Sequence, residues 1–291
     1  MKGIKRLEPK LDGVRVLMMV IYSDDGSITV TSYSRNGKVF ENFTHIEDQI
    51  RDNFLKLIRK TKIAQQLSVG VVFDGEVIGN SFQELMRQAR RKENVQAEDS
   101  VFNIFDILPL EDFRRGHWNA QLSKRVQILE QMRHVIDNMP NVELLPHIMV
   151  DLDTAAGKDQ LERYAKDQVN AGFEGIMVKA VDAPYECARN THWLKIKPVY
   201  DYDLTVIGVE EGTGKNAGRM GALVCEGVDD GKHITVNVGS GYTDEERQSY
   251  WNDKSLVIGQ TAVVMADATT QNQDGSYSLR FPRFKCFRTD K

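Results

Sequence analysis

Two apolar segments joined by a short polar turn lie near the start of the chain. Residues 14–21 are apolar apart from Arg15, and residues 28–33 form a second segment rich in β-branched and aromatic side chains. The turn between them contains Asp24, Asp25 and Gly26. An Asp-Gly turn between two such segments favours a β-hairpin. The chain is therefore predicted to begin with antiparallel sheet.

Segments with helical periodicity alternate with further short apolar segments up to residue 199. Ile46, Ile50 and Phe54 recur at helical spacing, which predicts an amphipathic helix. The pattern predicts an α+β fold class, with a first domain at residues 1–199 in which helices flank antiparallel sheets. The predicted helices cover residues 43–60, 82–91, 122–139 and 155–171, and the further strands cover 69–78, 101–108, 142–148, 175–179 and 193–197.

The sequence changes character after residue 203. Short apolar segments at 204–210, 222–226, 233–238 and 261–266 are separated by glycine-rich turns, with a single helix predicted at 244–251. Short strands plus one helix are typical of a small β-barrel of the oligonucleotide-binding (OB) type. We therefore expect a C-terminal OB-fold domain at residues 200–291.

Composition limits the class of protein. The 291 residues are enough for about two domains, and the 41% hydrophobic and 27% charged content fits a soluble globular protein. Apolar runs are too short to cross a membrane, and the N-terminus lacks the apolar core of a secretory signal. The three cysteines lack metal-ligand spacing. We expect an intracellular, cytoplasmic protein that does not engage membranes.

Lys10 is a candidate covalent nucleophile. It stands just before the first predicted strand, with Asp12 and Arg15 close to it in sequence. A lysine amine, whose ordinary pKa is about 10.4, attacks only when its charged form is disfavoured by burial or by neighbouring cations. Taken alone, the short motif also fits an ordinary turn with solvated charges.

Five further motifs follow Lys10, each at the end of a predicted strand or in the adjoining turn. Side chains from strand ends converge on one cleft where a ligand can bind. The six motifs are KLDGVR at residues 10–15, SRNG at 34–37, DGE at 74–76, FNIFD at 102–106, EGIMVK at 174–179 and WLKIK at 193–197.

In this order, the motifs resemble those of the covalent nucleotidyltransferase superfamily, and within it the ATP-dependent DNA ligases, most closely the small two-domain enzymes of phages and viruses. The C-terminal segment 280–291 resembles the last motif of that family. The resemblance implies a nucleotidyltransferase (adenylation) domain followed by an OB-fold domain. It also implies a monomer that uses ATP and seals nicked double-stranded DNA in replication, repair and recombination.

The resemblance implies that Lys10 takes AMP from ATP and passes it to the 5′-phosphate of a nick. The 3′-hydroxyl then displaces AMP and seals the strand. Lys195 and Lys197 would contact the α-phosphate. Because they alternate with Leu194 and Ile196, both are expected to point the same way off one strand. Asp12 is included with the catalytic residues.

The resemblance also assigns the nucleotide and metal contacts. Phe105 would stack on adenine, and Glu8 would accept a hydrogen bond from the exocyclic amine. Glu76 would contact the ribose and bind metal, and Glu174 would be the main metal ligand. Magnesium is expected, with manganese as a substitute, because Mg²⁺ prefers one or two carboxylates plus phosphate oxygens. Lys179 is placed with the cofactor-binding residues.

DNA and pyrophosphate contacts complete the set. Arg15 and Arg35 are expected to contact the nick, Arg35 at the 5′-phosphate, and Arg15 also to contact the nucleotide. In the second domain, residues of the last motif would orient pyrophosphate once the barrel closes, with a hinge near 198–203. Deletion of residues 280–291 is expected to block self-adenylation but to spare sealing by preadenylated enzyme or of preadenylated nicks. Within this motif, Arg280 is assigned to cofactor binding. The residues assigned to catalysis are Arg288, Asp290 and Lys291.

Three alternatives stay open. An RNA ligase and an mRNA-capping guanylyltransferase share the lysine chemistry, and RNA-containing nicks or labelled GTP distinguish them. A non-catalytic OB-fold protein would bind nucleic acid with strong salt dependence but would form no covalent nucleotide adduct. The net charge of −4 argues weakly against a nucleic-acid partner, although basic clusters occur locally.

Overall fold

The computed structural model describes residues 1–59, 61–79, 96–272 and 274–288. The chain forms two compact units, Met1–Ile196 and Lys197–Lys291. The predicted helix at 82–91 lies outside the described residues. The structure divides the chain after Ile196, whereas the sequence placed the boundary after residue 199.

A six-stranded sheet forms the centre of the first unit. Its strands run in the order β4-β3-β2-β5-β6-β8, antiparallel except for the parallel pair β6 and β8. The predicted hairpin is confirmed, with Met18 opposite Ser32. The strands are β2 (Val14–Tyr22), β3 (Ile28–Ser34), β4 (Val39–Phe40), β5 (Gly70–Ile78), β6 (Val101–Pro109) and β8 (Val142–Leu144).

A four-stranded antiparallel sheet has the order β12-β10-β1-β9. The prediction of one strand at 142–148 is wrong, because β8 and β9 belong to different sheets on either side of Pro146. Proline lacks the N–H that a continuous strand requires. Strand β1, which leads directly to Lys10, was not predicted. The strands are β1 (Ile4–Pro9), β9 (Ile148–Asp151), β10 (Ile176–Ala180) and β12 (Trp193–Ile196).

Helices cover these sheets through their apolar faces. Ile50 and Phe54 of α1 and Met132 of α3 pack with Phe73 of the six-stranded sheet in one buried cluster. Tyr164 of α4 packs against the four-stranded sheet. A short pair, β7 (His117–Trp118) and β11 (Tyr185–Glu186), completes the unit. The helices are α1 (Thr44–Arg59), α2 (Leu110–Arg115), α3 (Leu122–Ile136) and α4 (Ala155–Asn170).

The second unit is a seven-stranded sheet with one helix. Its strand order is β17-β18-β15-β14-β13-β16-β19, and register shifts interrupt the pairing of β13 with β14. The helix predicted at 244–251 is present, and Thr243 and Glu246 form a capping box at its start. The elements are β13 (Tyr200–Glu211), β14 (Met220–Asp229), β15 (Lys232–Val238), α5 (Asp244–Asn252), β16 (Thr261–Ala266), β17 (Ala268–Gln271), β18 (Tyr277–Arg280) and β19 (Arg283–Phe287).

The segment between the two units is shorter than expected. Strand β13 begins at Tyr200, which pairs with Ala266. Residues 200–203 are therefore held in the sheet of the second unit, and of the predicted hinge segment 198–203 only residues 198 and 199 lie outside a strand. Within the described part of the chain, none of the helices combines the length and apolarity that crossing a membrane requires.

Candidate active site

A cavity of about 260 Å³ lies in the first unit, lined by residues from both of its larger sheets. Eight of the residues singled out by sequence line it: Glu8, Lys10, Arg15, Arg35, Glu76, Phe105, Lys179 and Lys195. Pro9, Leu11, Leu145, Met177 and Trp193 complete the wall.

Two rows of side chains cross the four-stranded sheet beneath the cavity. Glu8 of β1 lies opposite Met177 of β10, which lies opposite Lys195 of β12. In the next row, Lys179 lies between Arg6 and Trp193. Because alternate residues of a strand face the same side, the strand β1 presents Arg6 and Glu8 to one face, in line with Lys10. Register therefore gathers the charged groups.

Main-chain hydrogen bonds hold Lys10 beside Glu174. The Lys10 N–H donates to the carbonyl of Gly175 (2.8 Å), and the Glu174 N–H donates to the carbonyl of Lys10 (3.1 Å). Gly175 has a φ of 141°, a conformation that glycine adopts readily. The Lys10 ammonium donates a short hydrogen bond to the Glu174 carboxylate. The Lys10 side chain is only 22% exposed, so the amine lies at the cavity and not in bulk water.

Glu76 contributes a second carboxyl group to the cavity wall. Burial raises the pKa of Glu76 to about 7, although the positive charge of Lys10 acts in the opposite direction. A cation bound beside such a carboxyl group would favour its ionised form and lower its pKa.

Glu76 and Glu174 can serve as metal ligands. Within the described residues, no group of three or more His, Cys, Asp or Glu side chains is arranged to hold a metal ion. Magnesium commonly binds through one or two carboxylates and completes its shell with water and phosphate oxygens. Glu76 lines the cavity and Glu174 contacts Lys10 there, so both supply carboxylates of the kind that this donor set requires.

A buried ionic cluster forms one side of the cavity. The carboxylate of Glu8 lies 2.8 Å from Arg6 Nε and 2.7 Å from Lys179 Nζ. Lys179 Nζ also lies 4.0 Å from the ring centroid of Phe105 and 4.1 Å from that of Trp193. The pKa of Lys179 lies below its ordinary value because the side chain is buried, and the negative charge of Glu8 partly opposes this effect. The aromatic faces and Glu8 together stabilise a fully buried ammonium.

Arg15 is fixed by a carboxylate behind the cavity. It forms a bidentate pair with Asp74 (2.9 and 2.6 Å), and the Tyr185 hydroxyl donates to the same carboxylate (2.7 Å). The charge of Asp74 raises the pKa of Arg15 further above its ordinary value. Arg15 and Arg35 also line a second cavity of about 210 Å³, together with Arg189. This row of guanidinium groups suits phosphate.

Two family models match the chain. The model of the ATP dependent DNA ligase domain matches residues 1–197, and that of the DNA ligase OB-like domain matches residues 211–288. The chain belongs to the ATP-dependent DNA ligase family. The expected fold class, a ligase nucleotidyltransferase domain followed by an OB-like domain, is therefore confirmed.

Relatives in this ligase family are longer than this chain. The DNA ligase of Natronomonas pharaonis is 31% identical over 315 residues, which cover 99% of this chain and 52% of that protein. DNA ligase 2 of Methanosarcina acetivorans is 30% identical over 323 residues, which cover 100% of this chain and 53% of that protein. The chain spans about half the length of these curated relatives.

Solved structures agree with the ligase fold. The structure named Pmar-Lig_Pre. is 40% identical with a TM-score of 0.87, and the match covers 100% of this chain and 65% of that one. A Lig E DNA ligase, described as DNA binding with a minimal scaffold, is 17% identical with a TM-score of 0.69 over 98% of this chain and 92% of that one. At that identity, the likeness shows the fold alone.

Several residues expected from the ligase motifs lie elsewhere. Asp12 is exposed and is not among the residues that line the cavity. Strand β12 ends at Ile196, one residue before Lys197, whereas the sequence predicted a strand through Lys197. Lys197 belongs to the second unit, where its ammonium lies 3.8 Å from Asp267.

The last ligase motif lies wholly in the second unit. Arg280 ends β18, and its guanidinium lies 5.6 Å from the ring centroid of Phe281. Arg288 follows β19 and pairs with Asp203 at 3.0 Å. Asp290 and Lys291 lie outside the described residues.

Sequence reasoning missed the residues that hold the predicted ones in place. Arg6 and Tyr185 were not singled out, and Asp74 was named only as part of the DGE motif and given no role. Arg6 contacts Glu8, Asp74 contacts Arg15, and Tyr185 contacts Asp74. Arg6 carried a usable signal, because Arg6, Glu8 and Lys10 alternate along the chain. Tyr185 carried none, because its partner Asp74 is distant in sequence.

Proposed function

We propose that this chain carries the catalytic unit of an ATP-dependent DNA ligase, which seals 5′-phosphate/3′-hydroxyl nicks in duplex DNA through a lysyl-AMP and a DNA-adenylate. The observation that carries the proposal is the position of Lys10. Its amine contacts Glu174 at the edge of one cavity that also holds Glu76 and Lys195. Membership of the ligase family supports the same reaction.

In the proposed first step, Lys10 Nζ passes a proton to solvent, to which its side chain is 22% exposed, and the freed lone pair attacks the α-phosphorus of ATP. The N–P bond forms, the bond from the α-phosphorus to the bridging oxygen breaks, and pyrophosphate leaves. Glu174 orients the amine, and Lys195 stabilises charge on the α-phosphate. Such catalysis rests on positioning and electrostatics. Glu76 and Glu174 would hold Mg²⁺, which when bound neutralises phosphate charge.

In the proposed later steps, Arg15 and Arg35 hold the nick. The 5′-phosphate takes AMP from Lys10, and the 3′-hydroxyl then attacks that phosphate and releases AMP. Support comes from the second cavity, where these two arginines are joined by Arg189. The proposed substrate is nicked double-stranded DNA, and the proposed active species is a monomer.

The decisive experiment measures the intact mass of the protein after incubation with ATP and Mg²⁺. We expect a gain of one adenylyl group that is lost in Lys10→Ala and retained in Lys5→Ala. Lys5 is a matched control because it lies on β1, the strand that leads to Lys10, but does not line the cavity. Retention of the adduct in Lys10→Ala, or absence of any adduct on the unaltered protein, would refute the proposal.

Substrate choice separates the alternative reactions. Labelled GTP in place of ATP tests the capping reaction, and we expect no adduct with GTP. Nicks with RNA on either side test RNA ligation, and we expect the all-DNA nick to be sealed faster. DNA binding without any covalent AMP would indicate a non-catalytic binding protein instead.

The roles proposed for the last motif need point variants. Deleting 280–291 would remove β19, whose residue Phe284 is buried in the core of the second unit. Loss of activity after that deletion would therefore also reflect unfolding. The proposed role of Arg280, Arg288, Asp290 and Lys291 in orienting pyrophosphate is better tested by Arg288→Ala. We expect slower self-adenylation and unchanged sealing of preadenylated nicks.

A further inference from the structure

The second cavity, of about 210 Å³, has an apolar wall that the proposed reaction does not use. Leu17 and Phe113 line this cavity together with the arginines Arg15, Arg35 and Arg189. Leu17 belongs to β2 and Phe113 to α2, and these two elements are in contact. Cationic and apolar groups in one cavity suit a ligand that carries both a phosphate and an apolar part.

The apolar wall, formed by Leu17 and Phe113, is a fixed part of the first unit. Both side chains are half-buried and pack against one buried cluster of this unit. Because packed side chains keep one arrangement, the wall presents a constant surface to whatever occupies the cavity. The buried cluster beneath the wall consists of Val72, Leu108, Leu110 and Tyr185.

Strand register places the guanidinium of Arg15 beside Leu17. Arg15 and Leu17 alternate along β2, so their side chains leave the same face of the sheet. The Arg15 guanidinium reaches Asp74, which lies directly opposite Leu17 in the β2–β5 pairing. A phosphate bound by Arg15 therefore lies close to Leu17. The sugar that carries this phosphate is only a few bonds away and lies against the apolar wall.

The apolar wall offers nothing to a sugar hydroxyl, because Leu17 and Phe113 have no polar side-chain atoms. The hydroxyl of Tyr185 already donates to a carboxylate at 2.7 Å. Among the described residues that line this cavity, the other polar side chains besides the arginines are Glu186 and Cys187, which belong to β11 and the segment after it. A hydroxyl on the apolar wall would lose its hydrogen bonds with water without replacement, which is unfavourable.

We propose that Leu17 and Phe113 are specificity-determining residues, which make this site select deoxyribose in the nucleotide that carries the 5′-phosphate. The C2′ methylene of deoxyribose packs on the apolar wall, whereas the 2′-hydroxyl of ribose has no partner there. The 2′-hydroxyl is the group by which a protein distinguishes RNA from DNA at a given position. The inference rests on the proposed function, because it names how the nick site recognises the sugar of its substrate.

The experiment measures single-turnover sealing by the preadenylated full chain. The nicks contain either no ribonucleotide, one ribonucleotide at the 5′-phosphate or one at the 3′-hydroxyl. We expect the unaltered protein to seal the all-DNA nick about tenfold to a hundredfold faster than the nick with ribose at the 5′-phosphate, the range for an added hydroxyl against an apolar pocket. Leu17→Gln supplies a donor and an acceptor, and we expect this ratio to fall to about threefold or less.

Met19→Gln is the matched control. Met19 lies on the same face of β2 as Leu17 and is also half-buried, but it does not line either of the two cavities, so this variant should keep the full ratio. Phe113→Tyr preserves the ring and adds a hydroxyl at the wall, and should give an intermediate ratio.

Self-adenylation of each variant, measured by intact mass, verifies that the first unit is folded. If Leu17→Gln is not adenylated, Phe113→Tyr decides: a ratio equal to that of the unaltered protein overturns the inference.

The nick with ribose at the 3′-hydroxyl separates sugar recognition from a general effect on the site. In Leu17→Gln we expect its sealing rate, relative to the all-DNA nick, to stay as in the unaltered protein. An equal change for both ribonucleotide positions would show that Leu17 only maintains the shape of the site, and would overturn the inference while nick sealing stands.

The unaltered protein separates the inference from the proposed function. If it seals the nick with ribose at the 5′-phosphate as fast as the all-DNA nick, the inference is overturned and the proposed function stands. If it seals no nick at all, the proposed function itself fails and the inference fails with it.

Discussion

Two arginines on helix α3 make nearly the same contact in opposite surroundings. Arg125 forms a bidentate pair with Asp106 at 2.7 and 3.0 Å, and both side chains are fully buried. Arg133 forms a bidentate pair with Glu130 at 2.6 and 2.7 Å, but these side chains are 43% and 39% exposed. The contribution of an ion pair to the free energy of unfolding therefore depends on its burial as well as on its geometry.

The buried pair belongs to the scaffold of the candidate active site. Arg125 Cζ lies 5.5 Å from the ring centroid of Tyr185, whose hydroxyl donates to Asp74, and Asp74 in turn fixes Arg15 at the cavity wall. The exposed pair connects neighbouring turns of α3 at the surface. The difference indicates that the fold places its costly charges where they position other residues.

Breaking the buried pair should have the largest effect on stability. Arg125→Met leaves the buried carboxyl group of Asp106 without its guanidinium partner, and we expect the free energy of unfolding to fall by about 3–5 kcal/mol. Urea titration followed by tryptophan fluorescence measures this loss. In a Trp251→Phe background, Trp118 and Trp193 report on the first unit alone. A loss as small as that of an exposed pair would contradict the comparison.

Tyr185→Phe should have a smaller effect, because it removes one hydrogen bond and keeps the ring. Asp74 retains both contacts with Arg15. We expect the free energy of unfolding to fall by about 1.5–3 kcal/mol, the value of a hydrogen bond to a charged group, with slower nick sealing because Arg15 is held less firmly. Tyr200→Phe is the matched control, since Tyr200 is 45% exposed. Equal stability of the two variants would show that the Tyr185 hydroxyl does not help to hold Asp74 and Arg15 in place.

Breaking the exposed pair should have the smallest effect. We expect Arg133→Met to change the free energy of unfolding by about 0.5 kcal/mol or less, because exposed pairs are screened by water and salt. The same urea titration at low and high salt provides the measurement. A loss above about 2 kcal/mol would show that exposure does not decide the strength of these pairs.

The sequence predicted those parts of the fold that depend on local patterns. The hairpin of β2 and β3 follows from its Asp-Gly turn, and α1 follows from its apolar periodicity. Strand β1 was missed because Lys5, Arg6 and Glu8 resemble a solvated segment. Their burial depends on partners in β10 and β6, which no local pattern reveals.

The same limit applies to the candidate site. Motif order identified the residues that line the cavity, including Glu8, Phe105 and Lys195. The residues that hold them, such as Asp74 and Tyr185, are recognised by contacts between chain segments far apart in sequence. The strand predicted at 193–197 from its alternating pattern ends one residue earlier, at Ile196.

The reciprocal main-chain bonds between Lys10 and the 174–175 segment have a consequence for protein engineering. Because each segment both donates to and accepts from the other, the spacing of the Lys10 amine and the Glu174 carboxylate is encoded in the backbone. Transplanting this chemistry to another scaffold therefore requires both segments as one cassette. A graft of the lysine loop alone would deliver an amine with no fixed neighbour.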